Sequence, residues 1–218
     1  MEKCAAKVFV GAAIVALALS GGSAHAVDQF VSAKKLLIKN KAGDPTKNKI
    51  VYISKDTTIA LPAGATEDPR CAPDGSGEAR LTVSSVTTGE SASIDLGGVS
   101  RCGNWSINGA GNRYKYKDTS GASCKIVLIK GGKLQKAVCK GSQVSYALGA
   151  DQVSVDINLT VGTAPRRYCS ATNDTTEGCQ VKKNGSDSKT YLAKKCTSGP
   201  AVCGASPSGA FLEVASLF

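Results

Sequence analysis

The sequence has little with which to do chemistry. Its only histidine is His25 and its only methionine is Met1, and both fall in an N-terminal leader. Lys3 and Lys7 precede an apolar run from Val8 to Leu19, followed by Ser23-Ala24-His25-Ala26, the pattern of a secretory signal peptide with an A-x-A cleavage site. Cleavage there starts the mature chain at Val27 and leaves it without histidine. That excludes Ser-His-Asp and Cys-His catalytic sets, His-ligated zinc or copper, and a haem with an axial histidine. No later stretch approaches the roughly 18 apolar residues of a membrane-spanning helix, and no cysteine stands at the cleavage site to carry a lipid. Aromatic residues make up only 5% of the chain, with Trp105 the single tryptophan. There is no C-x-x-C pair, so the expectation is no metal and no cofactor.

What is present in quantity is cysteine. Of nine in the chain, Cys4 leaves with the leader, and Cys71, Cys102, Cys124, Cys139, Cys169, Cys179, Cys196 and Cys203 remain. An even cysteine set in an exported chain reads as a disulfide framework, in the periplasm or outside the cell. One pair follows from local geometry. In the run Lys125 to Val138, a two-residue turn at Gly131-Gly132 would place Cys124 opposite Cys139, unless a bulge shifts the register by one. Cys71 with Cys102 is the natural pair in the first half. Nested pairs Cys169 with Cys203 and Cys179 with Cys196 are preferred among three possibilities.

Short β-branched runs separated by Gly, Asp, Pro and Ser recur through the mature chain, while helical periodicity is nearly absent. The expected fold is all-β, an antiparallel β-sandwich or open barrel. Candidate strands are Lys35 to Lys39, Lys49 to Ser54, Ala79 to Val86, Ala92 to Leu96, Arg113 to Lys117, Lys125 to Lys130, Lys133 to Lys140, Gln143 to Leu148, Gln152 to Val161 and Phe211 to Leu217. The expected division is a signal peptide over 1–26, a sandwich domain over 27–168, and a loop-rich, disulfide-stapled section over 169–218 that completes the sandwich or hangs from it.

The formal net charge of the whole chain is +10, which favours anionic partners such as a charged surface. Scattered lysines on a β protein more often serve solubility and guard strand edges, and there is no nucleic-acid signature. The one stretch that reads as a binding site joins Trp105 to Arg113-Tyr114-Lys115-Tyr116-Lys117. In a strand Tyr114 and Tyr116 share one face and Arg113, Lys115 and Lys117 the other, a layout that could stack on a glycan or contact phosphates. The opposing reading packs the rings in the core. Paired carboxylates of the glycosidase kind depend on folding, and nothing in the sequence singles out a pair.

Lys34-Lys35-Leu36-Leu37-Ile38-Lys39-Asn40, Asp44-Pro45-Thr46-Lys47, Lys49 to Asp56, Trp105, Tyr114 to Asp118, the Lys125 to Lys140 hairpin and Tyr168-Cys169 together resemble an uncharacterised β-rich module of secreted bacterial proteins. The resemblance implies an extracellular or envelope-facing β-sandwich without an assigned activity. The expected role is therefore non-enzymatic binding or structure, by a monomeric or weakly associating protein. The alternatives are a glycan-binding module through Trp105, Tyr114 and Tyr116, or a secreted inhibitor presenting a stapled loop.

Overall fold

Alternating apolar and polar residues bury one face of a strand and solvate the other, and this chain carries that pattern almost throughout. The computed structural model describes residues 26–41, 43–71, 77–121 and 124–204. They form thirteen strands: β1 (Val27–Phe30), β2 (Ala33–Lys39), β3 (Lys49–Ser54), β4 (Ala79–Ser84), β5 (Ser91–Asp95), β6 (Trp105–Ile107), β7 (Arg113–Lys117), β8 (Cys124–Lys130), β9 (Leu134–Lys140), β10 (Val155–Val161), β11 (Arg166–Thr172), β12 (Gln180–Gly185) and β13 (Thr190–Lys194). Five strands make one sheet in the order β1-β11-β10-β4-β5, and eight make the other in the order β12-β13-β2-β3-β9-β8-β7-β6. Every pairing is antiparallel except that of β1 with β11.

The two sheets bury their inner faces in one core. Leu36, Ile38, Ile50 and Tyr52 come from the larger sheet, and Leu81, Val83, Ile157 and Leu159 from the smaller. Buried hydroxyls join the layers where apolar contact stops: the Tyr52 hydroxyl lies 2.6 Å from Ser170 Oγ, which donates to the Val31 carbonyl at 2.7 Å. The Tyr191 hydroxyl donates to the Thr172 carbonyl at 2.9 Å. Four disulfides close the framework: Cys71–Cys102, Cys124–Cys139, Cys169–Cys203 and Cys179–Cys196.

The structure departs from the sequence expectations in three places. The β8–β9 turn holds three residues, not two, since Lys130 pairs with Leu134 and Ile126 with Val138. Gly132 takes the left-handed conformation at φ +62° that such a turn needs. A bulge between Cys124 and Ile126 then returns the register, so that Cys124 still faces Cys139. Second, Gln143 to Leu148 is not a strand. Val144, Tyr146 and Leu148 are buried in alternation, but the backbone is held by side chains: Asn48 Nδ2 donates to the Val144 carbonyl at 2.9 Å and Asn40 Nδ2 to the carbonyls of Tyr146 and Ala147.

Third, the boundary at 168 falls inside β11, and residues 180–194 form a hairpin that extends the larger sheet through β13 and β2. Of the two expectations for 169–218, that it completes the sandwich or hangs from it, residues 180–194 meet the first. The strands from β11 onward lack apolar alternation for two reasons. In β11 the inward positions include Ser170 and Thr172, whose hydroxyls are hydrogen-bonded, and β12 lies at an edge with Lys182, Lys183 and Asn184 exposed. The expected strand from Phe211 to Leu217 and the leader lie outside the described residues.

Candidate functional site

Strand alternation decides where the expected site residues go. In β7, Tyr114 and Tyr116 point inward and are 5% and 0% exposed, and Trp105 on the neighbouring β6 is 5% exposed. The Trp105 indole N–H donates to the Leu96 carbonyl at 2.8 Å, and its ring meets that of Tyr116 edge-on with centroids 5.4 Å apart. Trp105, Tyr114 and Tyr116 therefore form no stacking platform for a sugar, which corrects the glycan reading. A chain this poor in aromatics uses its large rings to fill the space between sheets. All six tyrosines and the tryptophan are buried. Among the described residues Phe30 is the one exposed ring.

The partners of those rings on the opposite face point elsewhere. Arg113, Lys115 and Lys117 project from the outer face of the larger sheet, and they have company. Every charged residue in the eight strands of that sheet is Lys or Arg. The register arranges them in rows across the strands. One row runs Lys194, Lys35, Ile53, Lys136, Leu128, Lys115. Beside it runs an aliphatic row, Leu192, Leu37, Val51, Val138 and Ile126, ending at Lys117. Beyond that, Lys39, Lys49 and Lys140 stand side by side on β2, β3 and β9. The lysines expected to be scattered are in fact gathered on one plane, and most sit on strands interior to the sheet, where edge protection is not needed.

No counter-charge is built in. Among the described residues the ion pairs are Lys47–Asp44, Arg70–Asp68, Arg80–Asp95, Arg166–Glu67 and Arg167–Asp28, none of which involves a strand of the larger sheet. The smaller sheet, by contrast, mixes Asp28, Arg80, Asp95, Asp156, Arg166 and Arg167 and pairs most of them. The outer side of that sheet carries a groove of about 630 Å³, floored by hydroxyls such as Thr82, Ser93 and Thr160. Both of its cations are already engaged: Arg80 binds the Asp95 carboxylate and Arg101 the Asp95 carbonyl.

Two further arrangements bring carboxylates close to other reactive or charged groups. Asp28 lies close to Cys169 and Cys203, but those sulfurs are bonded to each other and the carboxylate is held by Arg167, which leaves no thiolate to ligate a metal. Among the described residues Asp156 is the carboxyl held above its usual range, by burial first and by the nearby Glu177 second. A Cβ at Gly204 would fall 2.0 Å from Asp156 Oδ2, so the backbone of that segment lies directly on the carboxylate and closes it to a substrate. A raised carboxyl favours the protonated fold, and its ionisation lowers stability as pH rises from the ordinary carboxylate range through the raised pKa. Asp156→Asn is expected to be more stable than the parent at pH 7 and equal to it below about pH 4, the model-peptide carboxylate range; thermal denaturation at the two pH values checks this.

What fold and site together define is an all-β, disulfide-linked two-sheet protein whose larger sheet carries no charged strand residue other than Lys and Arg. The chain matches no protein-family model, no curated protein and no solved structure. Among the described residues no helix is long and apolar enough to cross a membrane. Four disulfides fit an oxidising environment.

Proposed function

We propose that this is an exported, non-enzymatic binding protein that docks an anionic partner on the outer face of its eight-stranded sheet. One observation carries the reading: a sheet whose charged residues are all Lys or Arg, with no acid of its own to pair them. Like charges opposite one another across strands destabilise a sheet, and a fold that keeps several such pairs without relief has a use for the unspent field. The leader and the four disulfides support export. The absence of exposed rings on this face argues against base or sugar stacking and for recognition by charge.

Lysine acetylation in the presence of dextran sulfate, with neutral dextran as the control, tests this. Lys35, Lys115, Lys136 and Lys194 are expected to be protected several-fold, and Lys41 and Lys55, which lie off the sheet, to react as they do alone. Protection should fade as salt rises, because exposed charge pairs are screened. Equal protection of all six lysines would overturn the proposal.

A further inference from the structure

We infer that Lys39, Lys49 and Lys140 form a site for a polyvalent oxyanion, a phosphate monoester or linked phosphates; the inference rests on the docking face proposed above and names its anchor. The register places Lys39 opposite Lys49 and Lys49 opposite Lys140. Directly opposed residues have Cβ atoms about 5 Å apart, so three ammonium groups share a strip about 10 Å wide. Elsewhere on the face, opposed cations come in twos, Lys35 with Lys194 and Arg113 with Lys130. Only here do three strands in succession present one.

The neighbouring backbone is held in place. Asn40 follows Lys39 and Asn48 precedes Lys49. Asn40 donates to the carbonyls of Tyr146 and Ala147. Asn48, buried at 6% exposure, accepts from the Lys41 N–H at 2.8 Å and donates to the Val144 carbonyl at 2.9 Å. After Lys140, the Gly141 N–H donates to the Asn48 carbonyl at 3.0 Å. The strand ends that carry the three lysines are thus tied to each other and to the 144–148 segment, so the cations cannot separate by fraying. Held together, they repel, and the central Lys49 takes the repulsion from both sides. An oxyanion with several charged oxygens can accept from more than one ammonium at a time, and its higher charge offsets more of their repulsion than a monovalent ion does.

The two states give opposite signs for one substitution. Without ligand, Lys49→Gln removes two like-charge contacts and should raise the melting temperature. With ligand, it removes the central anchor. The full, disulfide-intact protein is melted with and without sodium tripolyphosphate, with chloride added to equalise ionic strength. The parent is expected to gain about 3–5 °C at ten times Kd, the shift that single-site binding gives in a chain of this size. Lys49→Gln should start higher and gain under about 1 °C, whereas Lys133→Gln, in the β8–β9 turn at the opposite end of β9 from Lys140, should keep the gain. Flotation with phosphatidic acid vesicles, whose headgroup is a phosphate monoester, compared with phosphatidylcholine, separates the sources: loss of vesicle binding in Lys49→Gln assigns the phosphate to a lipid headgroup, and retained vesicle binding with loss of the tripolyphosphate gain assigns it to a soluble phosphate chain. A Lys49→Gln protein that melts no higher than the parent, or that keeps the tripolyphosphate gain, overturns the site. That result leaves the docking face standing if dextran sulfate still protects Lys35, Lys115, Lys136 and Lys194; uniform acetylation removes the face itself.

Discussion

Replacing Lys35, Lys115, Lys136 and Lys194 with glutamate is expected to weaken binding to an anionic surface by at least about 10³-fold, taking about 1 kcal/mol for each basic residue close to such a surface. The four lie in one row across the larger sheet and make no ion pair among the described residues. Lys35 and Lys194 oppose each other, and turning both to glutamate keeps a like-charge pair there, so the fold sees the same repulsion with the sign changed. Circular dichroism and melting temperature should therefore stay close to the parent while binding collapses. Reversing Lys41 and Lys55, which lie outside the strands of the larger sheet, is expected to cost less than about tenfold, in line with the small effect of exposed charges outside a contact. Equilibrium binding to dextran sulfate at fixed ionic strength measures both. A fourfold variant that binds within tenfold of the parent would place the interaction elsewhere.

The largest stability effect is expected at Arg166. Its guanidinium meets the Glu67 carboxylate with Nε 2.7 Å from Oε2 and Nη2 3.3 Å from Oε1, and the two side chains are only 13% and 10% exposed. The same carboxylate accepts the Ala63 N–H at 2.7 Å. Truncating one partner of a nearly buried pair strands the other charge, which costs about 3–5 kcal/mol. Arg166→Met should lose that much in urea denaturation with the disulfides intact. Adding Glu67→Gln removes the stranded charge and keeps an acceptor for Ala63, so the double variant should recover more than half of the loss. If the single and double variants are equally unstable, the ion pair is not what holds this corner. Packing there is close: a Cβ at Gly162, whose φ is +89°, would fall 2.2 Å from the Thr66 carbonyl oxygen.

Much of the fold was legible because strand residues wrote their own pattern. Lys49 to Ser54 and Arg113 to Lys117 were delimited by alternation alone, and both strands end where expected. Of the strands that were missed, Trp105–Ile107 is only three residues long, and Val27–Phe30, Arg166–Thr172 and the Gln180–Lys194 hairpin have polar or small residues where a core strand would carry Ile or Val. Burial there is made tolerable by partners remote in sequence, as when Ser170 bonds Val31, and no local signal announces such a partner. Gln143 to Leu148 erred in the other direction, since it alternates like a strand but is held by asparagine side chains.

The basic face was half legible. Lys35 and Lys39 on one strand, and Arg113, Lys115 and Lys117 at alternate positions of another, show that each of these strands has a cationic side. Which strands become neighbours is a property of topology, and rows such as Lys39, Lys49 and Lys140 exist only once β2, β3 and β9 adjoin. One signal was available and unused: no aspartate or glutamate occurs within any strand of that sheet, although three strands of the smaller sheet carry an aspartate.

The parallel pairing of Val27–Phe30 with Arg166–Thr172 sets an order of assembly. The neighbouring hairpins β2–β3 and β8–β9 join residues close in the chain and can form as soon as both arms are present, whereas contacts between distant segments must wait and form slowly. A chain delivered from its N-terminus holds Val27 and Phe30, still 44% and 42% exposed in the finished protein, without a partner strand until more than a hundred residues have followed. The larger sheet waits as well, because β2 meets β13 only after Thr190–Lys194 has arrived. Both sheets are thus completed by late segments, and the Cys169–Cys203 bond, made from two of them, acts as a latch that can close only when the rest is in place.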